Sequence, residues 1–174
     1  SVKQIEILNG TKFLKGIPEE GLQRWYASVM LNRLMFIYFI QKKGFLSGDA
    51  NYLHSKLTES KCGGKDRYYR EFLCPLFFEG FAKKAENRNA AMNKLLGSVP
   101  YLNGGLFLKH QIEELHGKTI TVADAAFEKL FAFFEQYNWH LDERTLRDDN
   151  EINPDVLGYI FEKYINQKQM GAYY

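Results

Sequence analysis

The sequence predicts an all-α fold, an irregular helical bundle with a short two-stranded β element near Ile120. Apolar side chains recur at three- and four-residue spacing along several stretches, which is typical of helices with a buried face. Only four of the 174 residues are proline, while hydrophobic residues make up 45% of the chain and aromatic residues 16%. Such a composition can form a substantial core, so it excludes a disordered chain.

The most regular helical pattern begins at Pro18 and ends near Gly44. Proline is tolerated in the first turn of a helix, and Glu19 suits the positive end of the helix dipole. A glycine is typical of the position just after a helix. Apolar residues lie on more than one side of the stretch 22–40, which predicts a helix at the centre of the bundle.

Arg33 lies inside this apolar helix, where an unpaired buried charge would be costly. We therefore expect its guanidinium either to pair with a carboxylate or to reach the surface. The candidate partners are Glu79, Glu128 and Glu162.

Further helices are predicted at 66–85, 88–96, 124–136 and 153–166. Pro75 lies inside the first of these and predicts a kink or a break there. Asp124 is expected to cap the third, since aspartate is favoured at helix N-caps. The β-branched run Thr119–Val122 predicts a short strand.

The charge distribution is uneven, although the net charge is only +2. Residues 61–94 hold eight basic and four acidic side chains, while residues 141–155 hold six acidic and two basic ones. Clustered cations permit a DNA-facing side, and Lys83, Lys84 and Arg88 are the candidate DNA-binding residues. A solvated helix surface explains the same pattern.

No catalytic or metal-binding pattern emerges from the residues alone. Cys62 and Cys74 are too few and too far apart for a zinc site or a disulfide framework. Asp49, Glu59 and Lys61 mimic the carboxylates and lysine of a metal-dependent nuclease, but their surroundings show no strand alternation. We therefore predict neither a catalytic residue nor a metal ion.

The longest apolar run, 25–40, is shorter than the roughly 20 residues that span a bilayer. No signal peptide is recognisable at the start of the chain. The expected location is the cytoplasm, without a membrane partner.

Four strings in order resemble one family. They are 32–46 (NRLMFIYFIQKKGFL), 99–107 (VPYLNGGLF), 153–164 (NPDVLGYIFEKY) and 171–174 (GAYY). Together they are similar to the helical region immediately before the methyltransferase domain in Type IIG-like restriction-modification enzymes and related adenine-N6 DNA methyltransferases. The resemblance runs from about Leu22 to the C-terminus.

The resemblance implies that the last string opens the first methyltransferase motif, with Gly171, Tyr173 and Tyr174 at the S-adenosylmethionine pocket. The sequence holds neither the family's glycine-containing cofactor motif nor its Asn-Pro-Pro-Tyr/Phe motif, which holds the flipped adenine. The resemblance therefore implies a non-catalytic fragment without a cofactor of its own, cut from a parent that uses S-adenosylmethionine.

The expected organisation is a helical connector domain at 1–150, followed at 151–174 by a helix and the start of the methyltransferase domain. The expected partners are DNA, through the full-length protein, and the parent's own methyltransferase domain. Two alternatives stay open: a free-standing helical protein-protein interaction domain, and a small DNA-binding module without sequence preference.

Overall fold

Helices form almost all of the regular structure in the part of the chain that the computed structural model describes. That part comprises residues 13–102 and 105–136 and the backbone of 138–139 and 151–152. The α-helices are α1 (Glu20–Lys42), α2 (Tyr52–Gly63), α3 (Ala90–Leu96), α4 (Gln111–His116) and α5 (Asp124–Phe134). Short 3-10 turns occupy Ala85–Asn87 and Gly105–Phe107. The all-α prediction is confirmed.

Helix α1 is the centre of the bundle, as predicted. It begins two residues after Pro18 and ends two residues before Gly44, close to the predicted limits. Its buried side chains lie on several faces and include Tyr26, Leu34 and Ile37. Neither α1 nor any other described helix is long and apolar enough to cross a membrane.

The second predicted helix forms, but its geometry differs from the expected kink or break. It is π-helical over Tyr69–Leu73 and Leu76–Phe81, and Pro75 sits between these stretches in α-helical conformation. The amide of Cys74 donates to the carbonyl of Tyr69, five residues earlier. Pro75 has no amide hydrogen and its ring crowds the preceding turn. The wider π-helical turns on either side of Pro75 allow the helix to continue without a break.

The small β element near Ile120 is confirmed. Strand β1 (Leu14–Lys15) pairs antiparallel with β2 (Thr121–Val122). Beside this pair, Gly16 has a φ of +93°, and a Cβ there would lie 1.8 Å from the carbonyl oxygen of Thr119. Only glycine fits so close to the neighbouring backbone. A second pair, β3 (Asn138–Trp139) with β4 (Glu151–Ile152), is parallel.

The start of α5 corrects one prediction. Asp124 is the first helical residue rather than the cap, and the N-cap, Ala123, offers no side-chain bond. The amide of Asp124 donates to Oδ1 of Asp66 at 2.9 Å, and the amide of Asp66 donates back to Oδ2 of Asp124 at 2.9 Å. A carboxylate from another part of the chain therefore supplies the cap.

Arg33 pairs with a carboxylate, as predicted, but the partner is Glu113. The Arg33 side chain is 1% exposed and that of Glu113 3%. Nη1 and Nη2 donate to the two carboxylate oxygens at 2.9 and 2.8 Å. Nε donates to the carbonyl of Leu106 at 2.8 Å, and Nη2 to that of Leu108 at 2.9 Å. This bidentate pairing, together with the two carbonyl acceptors, offsets much of the cost of burying both charges.

Two of the three expected partners of Arg33 pair with other residues, and the third lies outside the described residues. Glu79 pairs with Lys83, and Glu128 pairs with Lys61. Glu162 lies outside the described residues, as do the predicted helix 153–166 and the domain boundary at 150.

We expect Arg33→Met to lower the free energy of unfolding by about 3–5 kcal/mol, because it leaves the Glu113 carboxylate buried without its counter-charge. Urea denaturation followed by circular dichroism measures this. Arg24→Met is the matched control, since Arg24 pairs with Glu20 at the surface, and should change stability by less than about 1 kcal/mol. Equal effects of the two substitutions would contradict the structural role given to Arg33.

Candidate functional site

A groove of about 720 Å³ opens between the π-helical segment and the segment 109–119. Tyr69, Cys74 and Phe78 line it from the helix, and Glu113 lines it from α4. The Arg33–Glu113 ion pair places α4 against α1, so this pair also fixes one wall of the groove.

A chain of buried hydroxyls runs from the groove wall into the core. The Tyr26 hydroxyl is hydrogen-bonded to that of Tyr69 and donates to Oε2 of Glu113 at 3.2 Å. Burial is the main cause that raises the pKa of both tyrosines well above the usual value. Both phenols therefore stay protonated at neutral pH, and neither serves as a base.

The Cys74 thiol is a poor nucleophile. Burial raises its pKa to about 11, and the coulombic effect of Glu113 acts in the same direction. The thiolate is the reactive form of cysteine, and it is scarce at neutral pH when the pKa is so high. Cys74 therefore has a packing role in the groove wall.

The rim of the groove is mainly cationic. Arg70, Lys109 and Lys118 are exposed there, together with Glu114 and the half-buried His116. Nη2 of Arg70 donates to the carbonyls of Lys118 at 3.1 Å and Ile120 at 2.7 Å. The ammonium of Lys109 lies 5.7 Å from the centroid of the Phe78 ring. These contacts hold the side chains of Arg70 and Lys109 in defined positions.

The three residues predicted to contact DNA occupy different environments. Lys83 and Lys84 are exposed, and Lys83 pairs with Glu79 at 2.6 Å. Arg88 is buried, and its guanidinium donates to the carbonyls of Gly80 at 2.6 Å, Lys83 at 2.7 Å and Val99 at 3.1 Å. In this conformation Arg88 joins backbone segments, and the predicted DNA contact of the three residues stays a prediction.

Asp49, Glu59 and Lys61, the residues that mimic a metal-dependent nuclease, have separate partners and form no common site. The carboxylate of Asp49 accepts from the Asn51 amide and the Ser55 hydroxyl at the start of α2. Glu59 pairs with Lys56, and Lys61 pairs with Glu128. Within the described ranges no group of three or more histidine, cysteine or acidic side chains could hold a metal ion.

His110 has a structural role at the start of α4. The Nδ1 atom of His110 accepts a hydrogen bond from the Ile112 amide. The backbone amide of His110 in turn donates to the Glu113 carboxylate, which completes a capping box. Burial lowers its pKa, which favours the neutral ring that this acceptor role requires.

The sequence does not predict the groove. Arg70 belongs to the basic run 61–94, whereas Lys109 and Lys118 lie outside that run. No local pattern joins residues some forty positions apart; only the packing of α4 beside the π-helical segment brings them together. Gly171, Tyr173 and Tyr174, the predicted cofactor residues, lie outside the described part of the chain.

The two thiols should differ sharply in reactivity. At about pH 8 only roughly a thousandth of Cys74 would be thiolate with a pKa of about 11, so alkylation should become fast only as the pH approaches that value. We expect iodoacetamide to modify the exposed Cys62 first, as followed by peptide mass spectrometry. In urea, where both thiols are solvated, the rates should become similar. Faster modification of Cys74 than of Cys62 in the folded chain would refute this.

Comparisons with known proteins place the chain in a family. Residues 27–167 match the family described as a domain of unknown function, DUF7814. Over 159 residues the chain is 35% identical to a protein of Methanocaldococcus jannaschii named as a type II restriction enzyme and methyltransferase. That alignment covers 86% of this chain and 13% of the relative, so the chain spans a small part of the curated protein it matches. No solved structure matches at a significant level. Since the family match covers well over half of the sequence, the chain belongs to the DUF7814 family.

Proposed function

We propose that this chain is a non-catalytic helical part of a site-specific DNA adenine-N6 methyltransferase of the restriction-modification or phage-defence kind. The observation that carries the proposal is the 35% identity over 159 residues with a protein named as a type II restriction enzyme and methyltransferase. The chain spans 13% of that relative, a share in keeping with one region of a multidomain protein.

The described residues suit a supporting role better than a chemical one. The phenols and the thiol at the groove stay protonated at neutral pH, and Glu113 is engaged by Arg33. A general base or nucleophile needs an accessible group with a pKa near the working pH. The aromatic core around α1 instead supports a rigid domain that links or supports a catalytic domain.

The finer assignment follows the family resemblance. Residues 1–150 would form the connector, and 151–174 would begin the methyltransferase domain, with Gly171, Tyr173 and Tyr174 beside S-adenosylmethionine. DNA and the catalytic domain would be the partners, with Lys83, Lys84 and Arg88 as candidate backbone contacts. Base flipping and methyl transfer would belong to the catalytic domain.

The proposal predicts a division of activity between the whole polypeptide encoded by the gene and the isolated 174-residue chain. The whole polypeptide should transfer a labelled methyl group from S-adenosylmethionine to adenine in plasmid DNA. The isolated chain should show neither transfer nor cofactor binding, because it lacks the cofactor and catalytic motifs. Scintillation counting of the DNA and isothermal titration measure the two properties.

Either of two results would contradict the proposal. One is stoichiometric, micromolar binding of S-adenosylmethionine by the isolated chain. The other is a whole polypeptide that binds S-adenosylmethionine yet methylates no base in DNA containing all short sequence contexts. Heat-denatured whole polypeptide serves as the control for non-enzymatic label transfer.

A further inference from the structure

Three cations without carboxylate partners converge on the groove beside α4. Arg70, Lys109 and Lys118 line it, and none forms an ion pair with a carboxylate in the described ranges. Of the fourteen other lysines and arginines in the described ranges, half are paired with carboxylates: Arg24, Arg33, Lys42, Lys56, Lys61, Arg67 and Lys83. The groove differs in that three unpaired cations line one depression, so positive charge accumulates there.

The acids of the groove do not cancel that charge. Glu113 is buried and is neutralised by Arg33. Glu114 is the remaining carboxylate among the lining residues. Three cations thus face one exposed carboxylate, and the half-buried His116 adds a further group that can donate a hydrogen bond.

The positions of these cations are partly fixed before any ligand arrives. One guanidinium nitrogen of Arg70 bonds two backbone carbonyls. Its other nitrogens remain available to bind a ligand. The Phe78 ring lies beneath the Lys109 ammonium, and the capping box at His110 fixes the adjacent start of α4. A ligand would pay less ordering entropy at such a site than at freely rotating lysines.

We infer that this groove binds the phosphodiester backbone of duplex DNA. The inference rests on the proposed function, which favours DNA over other polyanions as the ligand. Guanidinium and ammonium groups match phosphate oxygens in charge and in hydrogen-bond donors. Contacts with phosphates carry no sequence information, so binding through these cations is independent of sequence and falls as salt rises.

The test uses the 174-residue chain and a fluorescently labelled duplex of random sequence, with anisotropy read at several KCl concentrations. K109A/K118A removes two groove charges, and K43A/K129A removes two exposed lysines, one just after α1 and one in α5, that lie outside both the groove and the basic run 61–94. At about 50 mM KCl the groove variant should bind roughly tenfold more weakly, and the salt slope of its log Kd should shrink by about 1.8. The control variant should bind within about twofold of the unaltered chain. Thermal unfolding checks that both variants are folded.

Three outcomes would overturn the inference. The first is equal weakening by both double substitutions, and the second is no DNA binding by the unaltered chain at low salt. The third is a matched RNA duplex that binds about tenfold tighter than DNA. None of these outcomes concerns methyl transfer by the whole polypeptide. Failure of the groove assignment is therefore distinguishable from failure of the proposed function.

Discussion

The buried guanidinium of Arg33 joins the segment 106–113 to the middle of α1. It bonds both oxygens of Glu113 and the carbonyls of Leu106 and Leu108. A charge placed so deep is tolerated only when its donors are matched with acceptors, and here its contacts come from residues far along the chain. Arg33 therefore anchors α4 and the residues just before it to α1.

The Arg33–Glu113 ion pair also determines the position of one wall of the groove. Glu113 brings the segment 109–119 beside the π-helical segment, and Tyr26 and Tyr69 extend the hydrogen-bonded network to the groove wall. Because Glu113 is paired with Arg33, its charge does not neutralise the rim cations, and Glu114 is left as the one exposed carboxylate among the lining residues. The buried ion pair thus contributes both to the position of α4 and to the excess of positive charge at the rim.

The sequence predicts those features of the fold that a local pattern of residues marks. The limits of α1, the β element near Ile120 and the helical class follow from apolar spacing and helix-end residues. Local patterns do not predict α2, which is weakly amphipathic, or α4, which has only six residues. The partner of Arg33, the Asp66 cap of α5 and the groove depend on residues tens of positions apart, for which no local pattern exists.

The most direct test of this account is amide hydrogen exchange in the Arg33→Lys chain. Lysine keeps the charge but cannot reproduce the fork that bonds Glu113 and two carbonyls at once. We predict that amides in 105–116 exchange about tenfold faster than in the unaltered chain, while those of α5 keep their protection. Uniform acceleration through α5 and 105–116, or no change in 105–116, would contradict the claim that Arg33 anchors this segment to α1.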